Sequence, residues 1–149
     1  MNLTRNAQDD AVGYSDPRGI VTSYVRNGFG EVIQETSPDA GTTILVRDAR
    51  GLVTQTSDGR GIVADMAYDT AGRLLSVSYP AAPAENAAYG YDNTNAGNFG
   101  LGRLTSVSDQ SGTGSWVYDA LGRVTAYLFC RHRGAGHRGR IRHRQARRA

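Results

Sequence analysis

The sequence predicts an all-β fold, an antiparallel array of short strands and hairpins. Three observations carry that expectation. Nineteen glycines and eight tyrosines, against three Phe and one Trp, suit many strands joined by tight turns. Gly or Pro interrupts nearly every ten-residue window, so no helix is expected. The turn glycines are also periodic. Gly19, Gly30, Gly41, Gly51, Gly61 and Gly72 follow one another at 10 or 11 residues, and Gly102 and Gly122 continue the series.

Two positions recur around these glycines. Two residues after Gly stand Val21, Val32, Thr43, Val53, Val63, Leu74, Leu104 and Val124, aliphatic in every case but Thr43. Three residues before Gly stand Asp16, Asn27, Pro38, Asp48, Asp58, Asp69, Phe99 and Asp119, mostly Asp or Asn. An Asp or Asn side chain accepts a hydrogen bond from the backbone two residues on and closes an Asx turn. Gly supplies the positive φ such a turn often needs. The segments after each Gly (IVTSYV, TILVR, LVTQT, IVADMAY, RLLSVSY and RVTAYLF) are rich in β-branched and aromatic residues. Several alternate with period two, which places Ile62, Ala64, Met66 and Tyr68 on one face. The gap from Gly102 to Gly122 hides a weaker turn at Gly112 or Gly114. Residues 93–101, NTNAGNFGL, read as a flexible inserted loop, and the segment from Pro80 to Ala84 as a second connector.

The net charge of +3 averages two unlike regions. Residues 1–130 hold nine Arg and all fourteen acids; residues 131–149 hold eight Arg, three His and no acid. Every basic residue is Arg. The only cysteine, Cys130, has no partner for an internal disulfide and gives no redox-compartment signal. The N-terminal residues lack the pattern of a secretory signal, and no apolar run reaches the roughly 20 residues of a membrane-spanning helix.

Chemistry is hard to place on the repeat body. It has no His or Lys to serve a nucleophile as base. Glu31 and Glu35, and Asp9 with Asp10, read as solvated surface acids. The recurring Asp residues read as turn formers, since one carboxylate per turn gives calcium too few oxygens. Gly97, Gly100 and Gly102 resemble a phosphate loop but lead into no helix. Trp116 and the tyrosines read as cross-strand packing, with sugar stacking as the other reading. No catalytic residue, metal site or cofactor is expected.

Three stretches carry a family resemblance: Tyr68-Asp69 with Gly72-Arg73-Leu74, Tyr91-Asp92 with Gly102-Arg103-Leu104, and Tyr118-Asp119 with Gly122-Arg123-Val124. They resemble the YD repeats of the bacterial Rhs family and of the related teneurin-like YD shells. Asp48 with Gly51 and Val53, and Asp16 with Gly19 and Val21, resemble degenerate copies. The resemblance implies a partial YD-repeat shell, an open β-sheet spiral, over residues 12–127, with a frayed segment at 1–11. In many such proteins the shell encloses a C-terminal toxin, and they are exported or surface-associated. The resemblance therefore implies a non-enzymatic structural repeat segment, with further YD repeats or a toxin of a longer parent as partners. Two other functions stay open: a carbohydrate or cell-surface binding module, and nucleic-acid association.

The last function rests on the tail. Repeat grammar stops after Tyr127, and residues 128–149 are Arg-rich. They read either as a frameshift-derived end or as a disordered basic tail binding anionic surfaces through charge, or else as a linker or the start of a toxin. Cys130, His132, His137 and His143 are zinc-ligand types, but their spacing fits no common site.

Overall fold

The computed structural model describes residues 2–132 and, further on, the strand Arg144–Gln145. Among the described residues the chain is all strand and turn. The strands are β1 (Asn2–Arg5), β2 (Ala11–Ser15), β3 (Val21–Arg26), β4 (Val32–Ser37), β5 (Gly41–Arg47), β6 (Val53–Ser57), β7 (Val63–Tyr68), β8 (Leu74–Ser78), β9 (Ala87–Tyr91), β10 (Leu104–Asp109), β11 (Gly112–Tyr118), β12 (Val124–Arg131) and β13 (Arg144–Gln145). Helix is confined to two 3₁₀ turns, Pro83–Glu85 in the Pro connector and Asn95–Gly97 in the insertion. Neither turn carries a helix signal in the sequence, because a single 3₁₀ turn needs no apolar periodicity.

The chain divides into two compact units, Met1–Ala67 with Tyr79–Ala81, and Tyr68–Ser78 with Ala82–Ala149. In the first, β1 to β7 form an antiparallel meander, each strand paired with its sequence neighbour. In the second, β8 to β13 do the same. This is the expected hairpin array.

Among the described residues neither unit has a conventional core. Ala64, at 9% exposure, is the buried hydrophobic side chain among the described residues, and Asn98 and Thr105 are buried polar ones. Cross-strand rows replace the core. In the second unit one row runs Tyr89, Val107, Gly114, Phe129, beside the pair Trp116 and Tyr127. The Trp116 and Tyr127 rings lie 5.3 Å apart, tilted by 38°. The opposite face is small and polar: Ala88, Ser108, Thr113 and Cys130 form one row, and Ser108 and Thr113 share a hydrogen bond of 3.1 Å. The first unit is more polar throughout. Thr36 and Thr42 are paired and bonded at 3.1 Å, and Gln55 donates to its partner Asp65 at 2.7 Å.

Two boundaries differ from the sequence reading. Asn2–Arg5, inside the segment expected to fray, is a strand paired with β2. β12 continues past Tyr127 to Arg131, because β11 offers partners as far as Gly112 opposite Arg131. Residues 133–143 and 146–149, with His137, His143 and most of the Arg-rich tail, lie outside the described residues.

Candidate functional site: a ladder of hydrogen-bonded turns

The recurrent chemistry of the chain sits in its turns. Asn27 shows the unit. Its backbone N–H donates to Glu31 O at 2.9 Å, and Gly30 N–H donates to Asn27 O at 3.0 Å. Its side-chain Oδ1 accepts the N–H groups of Phe29 and Glu31, both at 3.0 Å. One oxygen thus satisfies two backbone donors that the ladder leaves unpaired. Gly30 closes the loop at φ +79°, a conformation L side chains resist. The same arrangement recurs at Asp16, Asp48, Asp58 and Asp119. Asp69 closes its turn in the same way, accepting Arg73 N–H at 2.8 Å.

These hydrogen bonds favour the ionised carboxylate. The Ile20 amide beside Asp16, the Ile62 amide beside Asp58, and the Arg73 and Arg123 amides beside Asp69 and Asp119 hold those carboxyls below the ordinary range. At Asp48 desolvation pushes the other way, but the Arg50 and Leu52 amides outweigh it.

Turns alternate between the two ends of the strands, so Asn6, Asn27 and Asp48 share one edge of the first unit. The Asn6 turn was invisible to a reading anchored on glycine. Asn6 Oδ1 accepts Gln8 and Asp10 N–H at 3.0 and 2.9 Å, and the glycine place is taken by Asp9 at φ +68°. Asn6, Asn27, Asp48 and Asp69 stand 21 residues apart, so the true repeat is a hairpin and the 10–11 residue spacing is its half.

Just before the Asx residue, a long side chain bridges strands at a β-bulge. Tyr91 Oη donates to Leu74 O at 2.9 Å, and Tyr118 Oη to Leu104 O at 2.6 Å. In the first unit arginine does this: Arg26 Nε donates to Ala11 O at 2.8 Å and Arg47 Nε to Val32 O at 3.1 Å. Each Arg also closes its own turn, through Nη1 to Gly30 O and Gly51 O, at 2.6 and 2.7 Å. In all four cases the acceptor lies two residues after the glycine place of the preceding turn on that edge. Register shifts mark the bulges at Arg26, Arg47 and Tyr118. The tyrosine of the Tyr-Asp pair is therefore a hydrogen-bond donor at Tyr91 and Tyr118, a role that neither the packing nor the sugar-stacking reading of the sequence included.

At four turns the residue after the glycine place, Asp10, Glu31, Arg73 or Arg103, reaches the next turn on that edge. Asp10 lies against Gly30, and a Cβ at Gly51 or Gly122 would collide with Glu31 Oε1 or Arg103 Nη2. Arg73 reaches furthest: it pairs with its own Asp69 at 2.6 Å and, through two bonds of 3.0 and 2.6 Å, with Asp92. Its guanidinium also stacks 4.5 Å from the Tyr91 ring centroid. These partners, Asp92 foremost, raise the Arg73 pKa. Arg103 lies over Tyr118 at 5.7 Å and donates to Leu101 O, while Arg123 pairs with its own Asp119 at 2.7 Å. Pairing between neighbouring turns is thus present at Arg73.

The insertion leaves the split turn intact. Asp92 N–H still donates to Arg103 O at 3.2 Å, and Asp92 Oδ1 accepts Gly102 N–H at 2.6 Å. The expected flexible loop is pinned by buried Asn98, which donates to Trp116 O at 3.1 Å and accepts Tyr118 N–H at 2.8 Å.

Other candidates assemble no site. Glu31 accepts from Asn27 Nδ2 at 2.8 Å and serves the ladder. Ser111 Oγ donates to Asp109 Oδ1 at 2.5 Å, which is turn closure at Gly112. An open groove of about 480 Å³ runs past Ser76, Ser78, Ser108, Asp109 and His132. Among the described residues no group of three His, Cys, Asp or Glu is placed to hold a metal, and no helix is long and apolar enough to cross a membrane.

The RHS Repeat family model matches residues 47–84 and 100–128. No curated protein matches the chain. A crystal structure of TcdB2-TccC3-TEV superposes with a TM-score of 0.71 at 16% identity, covering 99% of this chain and 8% of that one. A crystal structure of TcdB2-TccC3-Cdc42 gives 0.67 at 15% identity, covering 85% and 7%. A Photorhabdus luminescens Tc holotoxin pore gives 0.65, also at 15% identity with 85% and 7% covered. At such identities the likeness concerns the fold, and this chain spans under a tenth of those chains.

Proposed function

Residues 47–84 and 100–128 are RHS repeats, and from that premise we propose that the chain works mechanically, as a wall segment of an Rhs-type shell around polypeptide cargo. The carrying observation is the turn ladder. Its polar side chains are occupied in holding adjacent strands in register, and those strands enclose no core of their own. Strands with so little buried apolar side chain draw their stiffness from such cross-links. The two faces of β9 to β12 support the reading: an aromatic row on one side and a row of small, mostly polar side chains on the other suit a wall with two different environments. In this reading the chain has no catalytic role, and the toxin-related setting follows the Tc toxin complexes it resembles in fold.

The test is a graft. Residues 12–127 replace the structurally matching strands of a Tc-type Rhs shell, and protection of the enclosed segment from protease is measured. Retained protection supports a wall role. A shell that assembles but leaks its cargo contradicts it.

A further inference from the structure

The turn that carries the insertion leaves a cation open. Arg103 follows its turn glycine, as Arg73 and Arg123 follow theirs, and each of those two holds a carboxylate at 2.6 or 2.7 Å. Arg103 holds none among the described residues. Its Nη1 donates to Leu101 O at 3.4 Å, its guanidinium lies over the Tyr118 ring, and its other N–H groups have no acceptor among the described residues. The reason is the split turn. Asp92, its own turn residue, accepts from Arg73 with both carboxylate oxygens and from Gly102 N–H with one of them. Asp119, on the next turn of that edge, is taken by Arg123. Asp69, Asp92 and Asp119 thus stand beside Arg73, Arg103 and Arg123, but Arg73 takes two of the aspartates.

Large apolar side chains flank this cation. Phe99, Leu101 and Leu121 are 56%, 72% and 76% exposed. Leu101 and Leu121 each stand just before the turn glycine, on successive turns of one edge. Arg103 spans them: it bonds the Leu101 carbonyl, and a Cβ at Gly122, next to Leu121, would collide with its Nη2. The insertion is held in this arrangement. Asn98 and Gly100 are buried, and a Cβ at Gly100 would collide with Asn93 O and Thr105 Cγ2. Phe99 N–H donates to Tyr118 O at 3.1 Å. Residues 98–101 therefore alternate, small or polar side chains inward and large apolar ones outward. A segment held by buried contacts while it presents apolar side chains to solvent marks an interaction surface.

We propose that Phe99, Leu101, Leu121 and Arg103 form a docking surface for an extended peptide that carries one carboxylate between two apolar side chains. The carboxylate meets Arg103, the cation the ladder leaves without one, and the apolar side chains cover Leu101 and Leu121 on either side. Successive turns on one edge lie two strands apart, about 9–10 Å. An extended peptide of the pattern apolar-x-Glu-x-apolar presents those side chains on one face in steps of about 6.6 Å, so its ends bracket the two leucines. The turn at Phe29 is an internal control. Phe29 stands in the same place before Gly30 and is 91% exposed, but the residue after that glycine is the acid Glu31.

The test is a titration of the full chain with the acetylated, amidated heptapeptide Ser-Leu-Thr-Glu-Thr-Leu-Ser, to millimolar concentration, followed by amide chemical shifts. Saturable shifts are expected at residues 98–103 and 119–123 and not at Phe29. Arg103→Gln should weaken binding about fivefold, the upper scale of an exposed ion pair, and so should Gln in place of Glu in the peptide. The two changes together should cost little more than either alone. Leu121→Ser should weaken binding about fivefold with Arg103 still in place. Circular dichroism checks that each variant keeps its strands. Absence of saturable shifts overturns the proposal. So do equal shifts at Phe29, which mean unspecific apolar contact, and an affinity unchanged by both charge removals. Shifts of the same residues with protein concentration alone also overturn it, because a second copy then covers the surface.

Discussion

In the unit of Met1–Ala67, two turns on one edge pair an asparagine with an acid four residues on: Asn6 with Asp10, and Asn27 with Glu31. In the unit containing β8 to β12, the same two places hold an aspartate and an arginine: Asp69 with Arg73, and Asp119 with Arg123. The donor at the bulge differs in parallel, arginine in the first unit and tyrosine in the second. What is constant is the backbone need: one oxygen for two N–H groups, and one donor for a bulge carbonyl. What varies is how the remaining polar atoms are neutralised. An amide offers N–H to a carboxylate; a carboxylate takes N–H from a guanidinium. Asp48 follows a third solution, with Arg50 two residues on, as Asp16 does with Arg18 and Asp58 with Arg60.

The shared oxygen should matter most. Asn27→Ala removes the acceptor of two backbone N–H groups and should cost about 2 kcal/mol, read by urea unfolding. Next comes the bulge donor. Arg47→Ala removes two bonds to carbonyls and should cost about 1–2 kcal/mol, while Tyr118→Phe removes one and should cost about 1 kcal/mol. If Tyr118→Phe proves neutral, the tyrosine is packing and the parallel with Arg47 fails.

Acid should separate the two chemistries further. Hydrogen bonds from the Arg73 amide to Asp69, from the Arg73 side chain to Asp92 and from the Arg123 amide to Asp119 hold the native pKa values of these carboxyls below that of an ordinary aspartate. Their contribution is therefore complete above that value and is lost as pH falls through the lower native ones. Amide exchange followed across pH 5 to 2, roughly the window of carboxylate titration, should show the Asp69 and Asp119 turns loosening, while the Asn27 turn keeps its uncharged acceptor. The smallest expected effect is a gain. Asp9 holds a left-handed backbone without being glycine, so Asp9→Gly should stabilise by about 0.5–1 kcal/mol.

How much of this could be read in the sequence follows from what was repeated literally. The Asx, glycine and aliphatic positions keep their identity, so the strands and turns were legible. The Asp92 turn was legible too, because Tyr91-Asp92 and Gly102-Arg103-Leu104 survive on either side of the insertion. The donor position was not, because Tyr and Arg share no property a pattern search weighs; they share only a reach long enough to meet a carbonyl. The Asn6 turn escaped because Asp9 stands where glycine was the anchor. Asn98 escaped because its partners are backbone atoms of β11, distant in sequence and without side-chain identity. The pairing of Asn with an acid and Asp with Arg was in plain view at a spacing of four, but only the turn geometry shows that the spacing is a contact.

The most direct test of the ladder is a double-mutant cycle at positions 27 and 31. Asn27→Asp alone sets two acids together, and Glu31→Arg alone sets a guanidinium against the Asn27 Nδ2 amide, donor against donor. Both should lower stability in urea unfolding. Combined, they rebuild the Asp-Arg pair of Asp119 with Arg123, and stability should return to near the wild-type value, a coupling of about 1 kcal/mol or more. Losses that simply add would contradict the account, because the two chemistries would then not be interchangeable solutions to one turn.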